Sequence, residues 1–205
     1  MNTARTPTVV LVHGAFADSS SWDGVIERLQ RQGRGVVAAA NPLRGLTADA
    51  AFAPDEGERL GDVTATSKDA ILGTALVERH LPSGPDGEAG TEFAVDPAKF
   101  RAVFAADLPA ERAAVLAVTQ RPIAAAAFAD PCGQPAWRTL PSWAVVATGD
   151  KAAGADLVRS MAERAGADSV EVEGSHLIMI SQPQAVADVI VKAVDALGRA
   201  PGAGG

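Results

Sequence analysis

Cysteine occurs once among the 205 residues, at Cys132, so no disulfide can brace the chain from within. That favours a reducing compartment. Long apolar runs are missing as well. None reaches the roughly 18 residues of a membrane span, and Met1-Asn2-Thr3-Ala4-Arg5 opens no signal peptide, which needs a longer apolar stretch and a small-residue cleavage site. The sequence therefore reads as cytoplasmic. Positive charge is scarce: 18 Lys and Arg stand against 25 Asp and Glu, a net charge of −7. A surface of that sign argues against nucleic acid and against anionic membranes as partners. No G-x-G-x-x-G and no Walker-type loop occurs, so there is no nucleotide signature. Three histidines without clustered cysteines or carboxylates give no metal pattern. No cofactor is implied. Also absent is G-x-S-x-G, the strained strand-to-helix turn that presents a serine nucleophile.

The composition that remains is globular, 47% hydrophobic and 21% charged, in a length that suits one domain with a sizeable core. Pro7 to Val12 is a continuous β-branched run, the pattern of a strand buried on both faces of a parallel sheet. A helix follows, with Trp22, Val25, Ile26 and Leu29 on one stripe, Ser19 to Ser21 as candidate caps, and Gly33 as a left-handed stop. Gly35 to Ala40 is a second strand. The opening is thus a βαβ unit. Asp55 to Gly90 is polar and reads as loops with short helices. Asp96-Pro97 starts a helix carrying Phe100, Val103 and Phe104. Pro109 opens another through Thr119, and Pro122 begins an alanine-rich third through Phe128. The end returns to alternation: a strand from Trp143 to Thr148, a helix from Ala155 to Ala165 stopped by Gly166, a strand from Ser169 to Glu173, and a last helix opened by Pro183. The fold class is α/β, with a mostly parallel sheet. Residues 1–54 and 141–200 form its core, 55–140 a helical cap or lid, and 201–205 a flexible tail.

His13-Gly14, Asp150 and His176 all fall just past strand ends, the edge of an α/β sheet where ligands bind. A base needs an acid to fix its tautomer and stabilise the imidazolium. Asp150 and His176, in that order, suit acid and base. The backbone of Gly14, Ala15 and Phe16 is a candidate oxyanion loop, and a Cβ at position 14 would crowd the approach. His13 reads as a residue that orients this turn rather than one that does chemistry.

With these residues the chain resembles the α/β-hydrolase superfamily, most of all its small esterase and hydroxynitrile-lyase-like branch. The resemblance rests on Val9-Val10-Leu11-Val12-His13-Gly14-Ala15-Phe16 with Ser20-Ser21-Trp22, on Ala51-Phe52-Ala53-Pro54-Asp55-Glu56, on Ala147-Thr148-Gly149-Asp150, and on Gly174-Ser175-His176 with Ser181-Gln182-Pro183. It implies a three-layer fold and cofactor-free cleavage of small esters or related carbonyl compounds. One departure is plain. The family has a helix, the nucleophile-bearing strand with its elbow and helix, and a further strand between the second strand here and the segment like Ala51-Phe52-Ala53-Pro54. In this chain Leu46-Thr47-Ala48-Asp49-Ala50 runs straight into Ala51, as if a central block were removed with both flanks intact. The seam falls near Ala48 to Ala51. No residue inherits the nucleophile's role, and the oxyanion amide that follows the nucleophile goes with it. For a shortened sheet to close, the Thr8 to Val12 strand must meet Trp143 to Thr148 directly, or the Ala51-Phe52-Ala53 piece must sit between them. An unfilled gap would expose strand edges and apolar faces.

The other hydroxyls and thiols have plainer readings: Ser19 to Ser21 as caps, Ser175 as a loop serine, Cys132 as a bystander beside Pro131 and Gly133, and His80 as solvated. The first expectation is a hydrolase relative, inactive or strongly impaired for want of a nucleophile, whose ligand is a small apolar ester-like molecule. Two others stand beside it: a non-catalytic small-molecule-binding module, and a hydrolase in which His176 and Asp150 activate water directly. A chain that folds poorly is the fourth. No oligomeric state is implied.

Overall fold

The computed structural model describes residues 7–43, 54–82 and 90–199. The proposed seam at 48–51, the 51–53 piece and the tail at 201–205 lie outside the described residues. The βαβ opening is present as β1 (Thr8–Val12), α1 (Asp23–Arg31) and β2 (Gly35–Ala39), with β1 and β2 parallel and Val10 opposite Val37. The α1 stripe forms because Val25 and Leu29, four residues apart, share one helix face, and both are fully buried. The cap differs from expectation. Asp18 takes the role by accepting from the Ser20 amide, and the serines form a 3-10 turn, Ser19–Trp22, ahead of α1. An ionised carboxylate only accepts hydrogen bonds, so it competes well for orphan amides. Gly33 ends α1 as expected. Its φ is +71°, its amide donates to Gln30 and the Arg34 amide donates to Leu29, the paired bonds of a Schellman stop.

The closing half holds β6 (Trp143–Ala147), α6 (Ala155–Arg164), β7 (Asp168–Val172), the single turn α7 (Ile178–Ser181) and α8 (Pro183–Arg199). β6 and β7 pair in parallel. Among the described residues β1 pairs only with β2, and β6 only with β7. The α/β fold is therefore built on two short parallel pairs, and among the described residues no strand hydrogen-bonds to both β1 and β6. They are joined through helices instead. Leu11 of β1, Val25 and Leu29 of α1, Ala147 of β6 and Val186 and Ala187 of α8 form one buried cluster.

The expectation that β1 is buried on both faces is corrected. Leu11 points into that cluster, whereas Val10 is 60% exposed, Val12 44% and Val37 of β2 53%. Period-2 alternation puts these three valines on the opposite face, where no described helix covers them. β6, packed by α6 and α8, does bury Ala144, Val146 and Ala147.

The middle segment is not only loops and helices. α2 (Leu60–Thr64) is followed by β3 (Leu76–His80), which pairs antiparallel with β4 (Thr91–Val95), and β4 with β5 (Ile123–Ala124). β3 is an edge strand whose Glu78, Arg79 and His80 are exposed, so its composition resembles a loop. α3 (Pro97–Phe104) begins as its sequence predicts, with Asp96 accepting from the Ala98 amide and Pro97 in the first turn. α4 (Ala110–Thr119) follows. The alanine-rich piece after Pro122 is not one helix. It first pairs as β5, where the Ala124 amide also donates to Leu43, and then forms the single turn α5 (Ala126–Ala129). Phe100 stacks on Phe104 at 5.2 Å, and Phe16 meets Phe104 edge-on at 5.6 Å. Burying each such ring stabilises by about 1.5–3 kcal/mol. This core reaches both outer segments through Phe16, Ala152 and Leu177.

Candidate active site

Asp150 follows β6 and His176 follows β7, and because the two strands are parallel neighbours their ends deliver both residues to one place. His176 Nδ1 lies 2.8 Å from Asp150 Oδ2. The other carboxylate oxygen accepts from the amides of Ala152 and Ala153 at 2.8 and 3.0 Å. Burial works to raise the Asp150 pKa, but the imidazole and these two amides outweigh it and hold the carboxyl below its ordinary value. Asp150 is thus an ionised acceptor, so His176 donates from Nδ1 and presents Nε2 as the basic nitrogen. The imidazole packs edge-on to Phe104 at 4.8 Å.

His13 is buried and fully occupied. Its Nε2 accepts from the Asn41 amide at 3.0 Å, its Nδ1 lies 3.0 Å from the Gly14 carbonyl, and its own carbonyl accepts from Asn41 Nδ2 at 3.1 Å. These bonds tie the loop after β1 to the end of β2. The amide of Phe16 is not available to an oxyanion, because it donates to the Arg121 carbonyl at 3.1 Å. Gly14 and Ala15 line the cavity beside His176. A Cβ at Gly14 would meet no protein atom within 4 Å, so packing among the described residues does not demand glycine there. Phe16 has a φ of +58°, a conformation that costs a bulky residue about 1–3 kcal/mol. Its buried ring against Phe104 offsets that cost.

The cavity holds about 380 Å³ and is mostly apolar, with Leu43, Leu60, Phe128, Leu157 and Met161 among its walls. Among the described residues that line it, only Thr64 carries a hydroxyl and none a thiol. That hydroxyl is spent on the carbonyls of Leu60 and Gly61, at 2.9 and 3.1 Å. Ser175 is buried and bonded away from the cavity, to Asp107 and the Phe104 carbonyl. Cys132 exchanges backbone hydrogen bonds with Gly57 and Glu58 and does not line the cavity. Among the described residues no group of three or more His, Cys, Asp or Glu is placed to hold a metal. No described helix is long and apolar enough to cross a membrane.

Sequence reasoning missed Asn41, Phe104 and Asp107. Asn41 carried a signal in the Asn41-Pro42 pair that closes β2. Asp107 carried none, since its partner lies 68 residues away.

Over residues 35–189 the chain matches the alpha/beta hydrolase family, and it belongs to that family. Among solved structures it is similar to a variant of polyneuridine aldehyde esterase, with a TM-score of 0.69 at 15% identity over 91% of this chain and 98% of that one. Tomato methylketone synthase I bound to 2-tridecanone gives 0.63 at 16% identity, covering 93% of this chain and 98% of that one. A methylesterase from Arabidopsis gives 0.63 at 14%, covering 92% and all of the other chain. At such identities these likenesses establish the fold. No curated protein matches the chain.

Proposed function

We propose that this hydrolase-family protein takes up a small apolar ester or related carbonyl compound beside His176, and that its ester cleavage by acyl transfer is lost or strongly impaired. One observation carries the reading: an imidazole clamped by Asp150 borders an apolar cavity whose only hydroxyl among the described residues, on Thr64, is already committed to its own helix. Gly14 and Ala15 supply the remaining backbone edge, His13 orients it, and residues 55–140 act as the cap. The esterase and ketone-binding relatives support the ligand class. A triad enzyme stripped of one member keeps only about 10³–10⁴-fold acceleration over water, and with no second oxyanion amide less is expected here. A serine-directed fluorophosphonate should leave the protein unlabelled, and an activated ester should give no burst. Stoichiometric labelling at a serine would end this reading.

A second reading is favoured by the exposure of the His176 side chain, at 31%. With no hydrogen bond to Nε2 among the described residues, this nitrogen can take a proton from water attacking a bound ester. Slow turnover without covalent labelling, abolished in His176→Ala, is the result that selects it.

A further inference from the structure

We propose that Asp107, a surface carboxylate just past α3, is the positioning residue of His176: it fastens the loop that carries the imidazole and so sets where the base stands in the cavity. The inference rests on His176 being that base.

Both sequence neighbours of His176 are tied to the end of α3. The Ser175 amide donates to Asp107 Oδ2 at 3.0 Å, and the Ser175 hydroxyl is hydrogen-bonded to Asp107 Oδ1 and lies 3.0 Å from the Phe104 carbonyl. The Leu177 amide donates to that same carbonyl at 3.0 Å. Ser175 and Leu177 are buried, so neither can exchange these partners for water. The ring of Phe104 meets the imidazole at an interplanar angle of 84°. The loop also passes so close that a Cβ on Gly174 would stand 2.8 Å from Asp107 Oδ2 and 2.3 Å from Ile178 Cδ1.

Asp150 therefore holds the ring from one side while Asp107 and Phe104 hold its backbone from the other. A hydrogen bond of 2.8 Å between His176 and Asp150 needs both ends fixed, because Asp150 is itself pinned by two amides. Burial raises the Asp107 pKa, but the hydrogen bonds it accepts, that of the Ser175 hydroxyl foremost, outweigh it and keep the carboxyl below its ordinary value. Asp107 is thus an acceptor at both oxygens, matching the two donors of Ser175.

The test is proton NMR of the full chain, following the carbon-bound ring protons of His176, assigned by their loss in His176→Ala. In the native protein they should form one sharp set, displaced from free-histidine positions by the Phe104 ring. Asp107→Ala, folded by near-ultraviolet circular dichroism, should broaden them and move them toward free histidine. Asp107→Asn should restore them, since an amide oxygen accepts from the Ser175 amide and its NH₂ can donate to the hydroxyl. Native signals in a folded Asp107→Ala, or signals as disturbed in Asp107→Asn as in Asp107→Ala, overturn the proposal. If Asp107→Ala does not fold, Ser175→Ala decides: it removes the hydroxyl bonds and keeps the amide bond, so partial displacement supports the proposal and unchanged signals refute it. Fluorophosphonate labelling would sink the proposed function and leave this readout intact.

Discussion

At the scale of single residues, the site is an arrangement of satisfied polar side chains in which, among the described residues, only His176 Nε2 makes no hydrogen bond. Asp150 uses three of its four lone-pair directions on three partners, and its lowered pKa has a signed consequence for stability. A carboxyl whose folded pKa lies below its unfolded value contributes stability that is complete above about pH 4 and is lost as pH falls through the folded value. Asp150→Asn should therefore show a shallower fall of melting temperature below about pH 4 than the native chain. A parallel fall would show that Asp150 does not contribute. Asn41→Ala should cost about 1–3 kcal/mol in urea unfolding, because it strips the buried His13 carbonyl of its donor.

At the scale of elements, the helices end where their chemistry says they should. Gly33 has open space at its Cβ position, so Gly33→Ala pays only for the left-handed backbone, about 1–2 kcal/mol by thermal unfolding. The strands are less self-contained. β1 carries an uncharged, β-branched sequence with one face bare, and a bare apolar strand face favours self-association. Val10→Thr together with Val37→Thr should change stability by less than about 1 kcal/mol. If the native chain self-associates in sedimentation velocity, the pair should weaken that association. Association of equal strength in the double variant would place that contact elsewhere.

At the scale of the whole molecule, the two parallel pairs share no strand-to-strand hydrogen bonds among the described residues, and α1 packed on α8 holds them together. Leu29 sits in that junction, fully buried. Leu29→Ala should cost about 2–5 kcal/mol. Because the junction carries both halves, the loss should appear as one cooperative transition shifted to lower denaturant. Two separate transitions would mean that the halves stand alone.

The sequence by itself determined what short-range physics controls: the βαβ opening, the helices begun by Asp96-Pro97 and Pro183, the stops at Gly33 and Gly166, and the delivery of His176 and Asp150 to strand ends. Side-chain periodicity, caps and glycine backbones act within a few residues and can be read in any window of that size. Only the tertiary structure decided which face of β1 is bare, that the polar 76–80 segment is a strand, that Pro122 leads into β5, that the Phe16 amide is taken by Arg121, and that Asp107 grips Ser175. Each of these depends on a partner brought up from far along the chain, and a hydrogen bond or a covered face of that kind has no local signature.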